Sequence, residues 1–229
     1  MDEIRILYAE KGIIVCVKPA GVLSQEGNPG QESMVSLLRA QTGGEIYPVH
    51  RLDRETGGVM VYAGTPKTAA DLSRDIQERR IVKEYLAVLT GMPGKPSDCL
   101  QDLLFHDRNR NKTFVTDRKR KGVKEAALIY RVLDTRDRLA LVQVRLLTGR
   151  THQIRAQFAS RGLPLLGDSR YGGGRGVPAL CLWSAALTLE LQGTSRRFLC
   201  LPPALGPFRC PDRLDPLIPE NMDEAQKKC

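Results

Sequence analysis

Apolar residues recur along this chain at two spacings, one proper to strands and one proper to helices. Gly12 to Val17 is a short β-branched run that halts at Lys18-Pro19-Ala20-Gly21, which predicts a buried strand and then a turn. Residues 59–63 predict a second buried strand. From 81 to 90, period two puts Lys83, Tyr85, Ala87 and Leu89 on one face and Val82, Glu84, Leu86 and Val88 on the other. Further strands are expected over 126–133, 139–147, 180–191 and 197–201.

Helical spacing is confined to three stretches. Ser33 caps a short helix with Val35, Leu37 and Leu38 on its apolar side, ending near Gly43-Gly44. Thr65-Pro66 opens a second, in which Ala69, Leu72, Ser73 and Ile76 recur on one side. Arg79 and Arg80 are expected in its last turn, where cations favour the macrodipole. The third runs over 152–161, with Ile154 and Phe158 four apart and Gly162 as a left-handed stop. Strands outnumber helices. No repeat or heptad interrupts the pattern, so one catalytic-sized domain is expected over 1–212, with a polar tail at 213–229.

Composition narrows the partner more than the fold. Lys and Arg number 35 against 26 Asp and Glu, a net charge of +9 that favours a polyanion. No run reaches the eighteen or so apolar residues of a membrane span, and the first residues lack the apolar core of a signal peptide, so a cytoplasmic protein without a membrane partner is expected. The six cysteines have no C-x-x-C spacing and there are three histidines, so no metal site and no cofactor are expected. Cys16, between Val15 and Val17, has the surroundings of a reduced core thiol.

Reactive groups concentrate in three places. Pro48 to Gly58 precedes an apolar strand and holds Asp53 between Arg51 and Arg54, whose charges favour an ionised carboxylate. The same residues also suit a solvated charged loop. His50, with no second histidine nearby, is assigned no proton-transfer role. In Leu146 to Arg155 a strand end feeds a helix whose first amides can meet an anion. Arg150 and Arg155 flank its start, one able to pair with a buried carboxylate while the other meets solvent or phosphate. The run 106–121 has seven Lys or Arg against Asp107 and Asp117, with Phe114 among them, which suits a loop or hairpin laid along RNA. Gly172-Gly173-Gly174 with Arg175 lacks P-loop and Rossmann spacing and is expected to be a flexible turn.

Taken in order, these pieces resemble the RluA family of pseudouridine synthases. Lys18-Pro19-Ala20-Gly21 is similar to its first motif, and His50 to Gly58 to its signature around the catalytic aspartate. Lys83-Glu84-Tyr85 is similar to its Lys-x-Tyr strand motif. Thr148 to Arg155, followed by Leu166-Gly167-Asp168, is similar to the third. Two positions depart: Gly57 stands where the family usually has Ser, and Trp183 where a His commonly precedes a small residue.

The resemblance implies an α+β fold, a mixed, mostly antiparallel sheet bent around a cleft with flanking helices, and an isomerase acting on uridines of ribosomal or transfer RNA. It implies Asp53 as the catalytic carboxylate, attacking the anomeric carbon or removing the neighbouring sugar proton. Arg155 would be the buried cation beside it, Tyr85 the ring on the target base, and Arg51 the wedge that replaces a flipped base. Arg54, Lys83, Arg150 and His152 are expected among the substrate contacts. A monomer is expected, without the small N-terminal RNA-binding domain that many members carry. A catalytically silent basic RNA-binding or ribosome-associated protein is the alternative, and a metal-dependent nucleotide hydrolase a third reading that lacks clustered ligands.

Overall fold

Alternation and capping signals become thirteen strands and three helices among the described residues. The structure is a computed structural model and describes residues 3–174, 176–202, 204–210 and 212. In chain order the elements are β1 (Ile6–Glu10), β2 (Ile13–Lys18), α1 (Met34–Thr42), β3 (Tyr47–Pro48), β4 (Gly57–Ala63), α2 (Pro66–Gln77) and β5 (Val82–Leu89). There follow β6 (Ser97–Asp107), β7 (Lys112–Thr116), β8 (Val123–Arg136), β9 (Leu139–Leu146), α3 (Gln153–Ala159), β10 (Leu182–Leu191), β11 (Thr194–Leu199), β12 (Ala204–Leu205) and β13 (Phe208–Arg209). The chain divides into two compact units, Met1–Lys83 with Trp183–Pro202 and Glu84–Leu182 with Pro203–Cys229. The expected tail at 213–229 and Arg175 lie outside the described residues.

In the first unit the strand order is β1-β2-β4-β10, with β3 added to β4 and β11 to β10. All these pairs are antiparallel except β4·β10, which is parallel at Gly57↔Trp183 and Gly58↔Ser184. Three hairpins of the molecule close through two residues in the left-handed region: Lys11-Gly12, Asp137-Arg138 and Gln192-Gly193. That geometry matches the twist of the strands it joins. Helix α1 starts as expected, with a capping box from Ser33 to Ser36, and stops at left-handed Gly43. Helix α2 is capped by Thr65 with Pro66 in its first turn, but it ends at Gln77. Arg79 and Arg80 therefore lie beyond it rather than in its last turn: Arg79 is left-handed, and Arg80 pairs with Asp75 and Glu78.

Leu72 of α2 is 3% exposed and packs with Val15, Val59, Val61 and Leu187, while Ala69 and Ile76 of the same helix face cover the cluster. Burying one such leucine contributes roughly 1.5–3 kcal/mol. Cys16, Cys181, Cys200 and Cys210 are free, and burial pushes the Cys16 thiol up to about 12, which keeps it protonated and inert.

The second unit has the order β5-β9-β8-β6-β7, and the β6·β7, β6·β8 and β8·β9 pairs are antiparallel. Helix α3 is buried from Gln153 through Phe158, and Phe158 meets Tyr130 edge-on at 5.4 Å. The architecture is thus α+β, with mixed, mostly antiparallel strands and flanking helices. Among the described residues no helix is long and apolar enough to cross a membrane.

Candidate active-site residues

In the first unit, the loop carrying Asp53 is fixed by backbone hydrogen bonds to the segment after β2. Ser24 Oγ accepts from Leu52 N–H at 3.0 Å and donates to Leu52 O at 2.9 Å. Tyr62, wholly buried on β4, donates its hydroxyl to Ser24 O at 2.7 Å. Gly21 N–H donates to Arg54 O at 2.7 Å, and Arg54 Nε–H returns a bond to Gly21 O at 2.9 Å. Thr56 N–H donates to Asp53 O at 3.1 Å and closes the turn. Arg51 and Arg54 are exposed, and Asp53 is half-buried between them.

Lys18 ends β2 with no exposed surface, and its Nζ donates to Pro19 O, Val22 O and Arg54 O at 2.9, 2.6 and 3.1 Å. Burial pulls its pKa down to about 8 against the opposing pull of the Asp53 and Glu55 carboxylates. The ammonium therefore braces the Asp53 loop and supplies positive potential to it. In the sequence Lys18 stands at a strand end and in the first motif string, without a role of its own. A lysine terminating an otherwise apolar buried strand was the signal.

His50 accepts Val61 N–H on Nε2 at 3.1 Å. Its pKa is lowered to about 3, first by burial and then by the charge of Lys83, so the ring stays neutral and ties the loop to β4. Lys83, at the start of β5, is itself shifted down by burial.

The second unit contains the other expected residues. Tyr85 is buried in β5 at 5% exposure. Arg155 of α3 forms a two-pronged pair with Asp168, Nε to Oδ2 at 2.7 Å and Nη2 to Oδ1 at 2.8 Å, with side chains 5% and 0% exposed. Asp168 Oδ1 also accepts the N–H groups of Arg170 and Tyr171 at 3.2 Å each, and the Arg155 guanidinium lies 5.2 Å over the Tyr171 ring. Tyr171 accepts Thr113 N–H at 2.7 Å and is bonded to His152 Nδ1 at 3.1 Å. Neither Asp168 nor Tyr171 was singled out by charge or spacing, because their roles depend on a turn after α3.

Arg155 is the arginine with the buried carboxylate, and Arg150 is exposed, donating Nε–H to Glu125 O at 2.9 Å. At the start of α3, where an anion was expected to meet the first amides, Gln153 N–H already donates to Arg150 O at 3.1 Å. The helix has seven residues, buried His152 stands before it in a left-handed conformation, and Gln153 Oε1 takes up Arg150 N–H at 3.0 Å. In the glycine run only Gly173 is tightly packed, since a Cβ there would lie 1.6 Å from Leu165 O and its N–H holds Asp168 O at 2.8 Å, while Gly172 and Gly174 are exposed.

The basic run 106–121 is the hairpin β6–β7 with the following turn. Arg120 lies 4.4 Å over Phe105 and Lys112 5.7 Å over Phe114. Its arginines and lysines other than Lys112 are exposed. Among the described residues no group of three or more His, Cys, Asp or Glu side chains is placed to hold a metal ion.

A family model described as RNA pseudouridylate synthase matches residues 12–160, a span containing the Asp53 loop, Lys18, Tyr85 and Arg155. This chain belongs to that family. A Bacillus subtilis protein named uncharacterized RNA pseudouridine synthase YhcT is 33% identical over 180 residues, covering 75% of this chain and 59% of that protein. Ribosomal large subunit pseudouridine synthase D of Haemophilus influenzae is 36% identical over 176 residues, covering 74% of this chain and 53% of that one. The chain thus spans little more than half the length of these relatives. The solved structure of human RNA pseudouridylate synthase domain containing 1 is similar in fold, with a TM-score of 0.76 at 22% identity, covering 99% of this chain and 95% of that one.

The two departures from the pseudouridine synthase pattern meet in the structure. Gly57 and Trp183 are register partners of β4 and β10, and the indole occupies the space beside the bare Cα of Gly57.

Proposed function

We propose that this chain is an RNA pseudouridine synthase in which Asp53 is the catalytic carboxylate. The observation that carries the proposal is the match of the family model to a segment enclosing Asp53, on a loop braced by a buried ammonium. The reaction is an isomerisation: the bond from C1′ to N1 of uracil breaks, the base turns, and a bond from C1′ to C5 forms. The C5 proton leaves and N1 is protonated, so no co-reactant is consumed. Asp53 either attacks C1′ or takes the neighbouring sugar proton, and both routes require an ionised carboxylate.

Arg155, held in one orientation by Asp168, is the fixed positive partner for the reacting groups. Tyr85 carries the target base, and its hydroxyl assists removal of the C5 proton late in the cycle. Arg51 fills the gap left by the flipped base, whose extrusion costs a few kcal/mol. Arg54, Lys83, Arg150 and His152 complete the substrate contacts, and the exposed hairpin 106–121 binds phosphate. The names of the bacterial relatives favour ribosomal RNA over transfer RNA as substrate.

Carbodiimide mapping of RNA treated with wild type and with Asp53→Asn tests the proposal. Product from the wild type and none from the variant is expected. Equal product from both removes Asp53 from its role, and no product from either leaves an RNA-binding protein.

A further inference from the structure

A Cβ added to Gly57 would stand 2.4 Å from Cζ3 and 3.0 Å from Cε3 of Trp183, and 3.1 Å from Lys18 O. Any other residue at 57 must displace the indole or the first residue of β4. The indole is held in place. Its Nε1–H donates to Cys200 O at 2.7 Å, and its rings pack on the cluster around Val15 and Val59.

The next position meets a different obstacle. Gly58 has φ +117°, and a Cβ there would lie 2.1 Å from Ser184 O. Two adjacent glycines thus answer two adjacent residues of β10, one through its side chain and one through its backbone. Ser184 Oγ donates to Val59 O at 2.9 Å and locks the same register. Upstream, Thr56 N–H holds Asp53 O and Lys18 Nζ holds Arg54 O, so the place where β4 begins is the downstream anchor of the Asp53 turn.

We propose that Trp183 is a positioning residue for Asp53. Its indole, matched to the bare Cα of Gly57, sets where β4 starts and therefore how the turn presents its carboxyl group. The proposal rests on the reading of Asp53 as the reacting carboxylate. The two positions form a matched pair, so a side chain at 57 is tolerated only when the six-membered ring at 183 is gone.

The test is a cycle of Gly57→Ala, Trp183→His and the double variant, read by kcat for pseudouridine formation, RNA affinity and melting temperature. Gly57→Ala is expected to lower kcat by roughly 10²-fold, as a small misplacement of a reacting group does, with RNA Kd within about twofold of wild type. Adding Trp183→His is expected to restore about tenfold of that loss, because its ring lacks the atoms that clash.

An unchanged kcat in Gly57→Ala below its melting transition would overturn the proposal, since the pair would then be structural only. So would a double variant no more active than Gly57→Ala. Wild type and Asp53→Asn are run alongside. Equal product from those two overturns the Asp53 reading, and with it the positioning role. Melting temperatures then report the packing match separately, non-additive values supporting it and additive values overturning it.

Discussion

The two buried Lys and Arg side chains among the described residues, Lys18 and Arg155, are satisfied in opposite ways. Lys18 gives its three hydrogen bonds to backbone carbonyls and meets carboxylates only through the surrounding field. Arg155 has a carboxylate directly on its fork, with two backbone amides steadying that carboxylate from behind. The difference decides which one responds to pH. A buried ammonium loses its proton readily, whereas a guanidinium does not. Lys18 makes the Asp53 loop adjustable, and Asp168 makes Arg155 a constant.

Removing the direct partner should do the most damage. Asp168→Ala removes the carboxylate that grips both prongs of the buried Arg155 fork and is expected to cost about 3–5 kcal/mol in chemical denaturation, with loss of pseudouridine formation. Lys18→Met removes a donor from three carbonyls and is expected to cost about 1–3 kcal/mol, with a larger fall in kcat than in RNA affinity. If Lys18→Met cost more than Asp168→Ala, the ranking of the two braces would be reversed.

A pH series sharpens the contrast without mutation. The pKa of Lys18 falls from 10.5 to about 8 on folding, so between those values the unfolded chain binds more protons. Stability should therefore gain a contribution that grows as pH rises from about 8 toward 10.5 and is absent in Lys18→Met. Activity should move the other way, because the charge beside Asp53 is lost over that range. The smallest effect is expected at the surface. Lys119 and Glu125 pair at 3.3 Å with both side chains 78% exposed, so Lys119→Ala should change stability by less than about 0.5 kcal/mol. It should still flatten the salt dependence of RNA binding, measured by titration at several ionic strengths.

Much of this was legible in the residues themselves. Caps at Ser33 and Thr65 and the alternation through β5 placed those elements closely, and the motif strings put forward Asp53 and Arg155 as candidates. Strands β1 and β6 were missed. In β6, Leu100 and Leu104 are buried while Gln101 is exposed and Asp102 is half-covered, so the apolar side is too sparse to show a period of two. The end of α2 was set too late because Arg79 and Arg80 suit a last turn by charge, yet Arg79 turns left-handed. Lys18 escaped notice as a site residue because its partners are carbonyls, which every residue has. Gly57 and Trp183 showed singly as departures, and only the strand register shows that they answer each other.

The brace between Lys18 and Arg54 joins positions 36 residues apart. The pairing of β2 with β4 spans longer separations still, from Lys18↔Gly58 to Ile13↔Ala63, so once those strands are zipped the brace adds little further chain entropy. The sheet thus carries the cost of bringing the ammonium to the loop, and the loop itself can stay short.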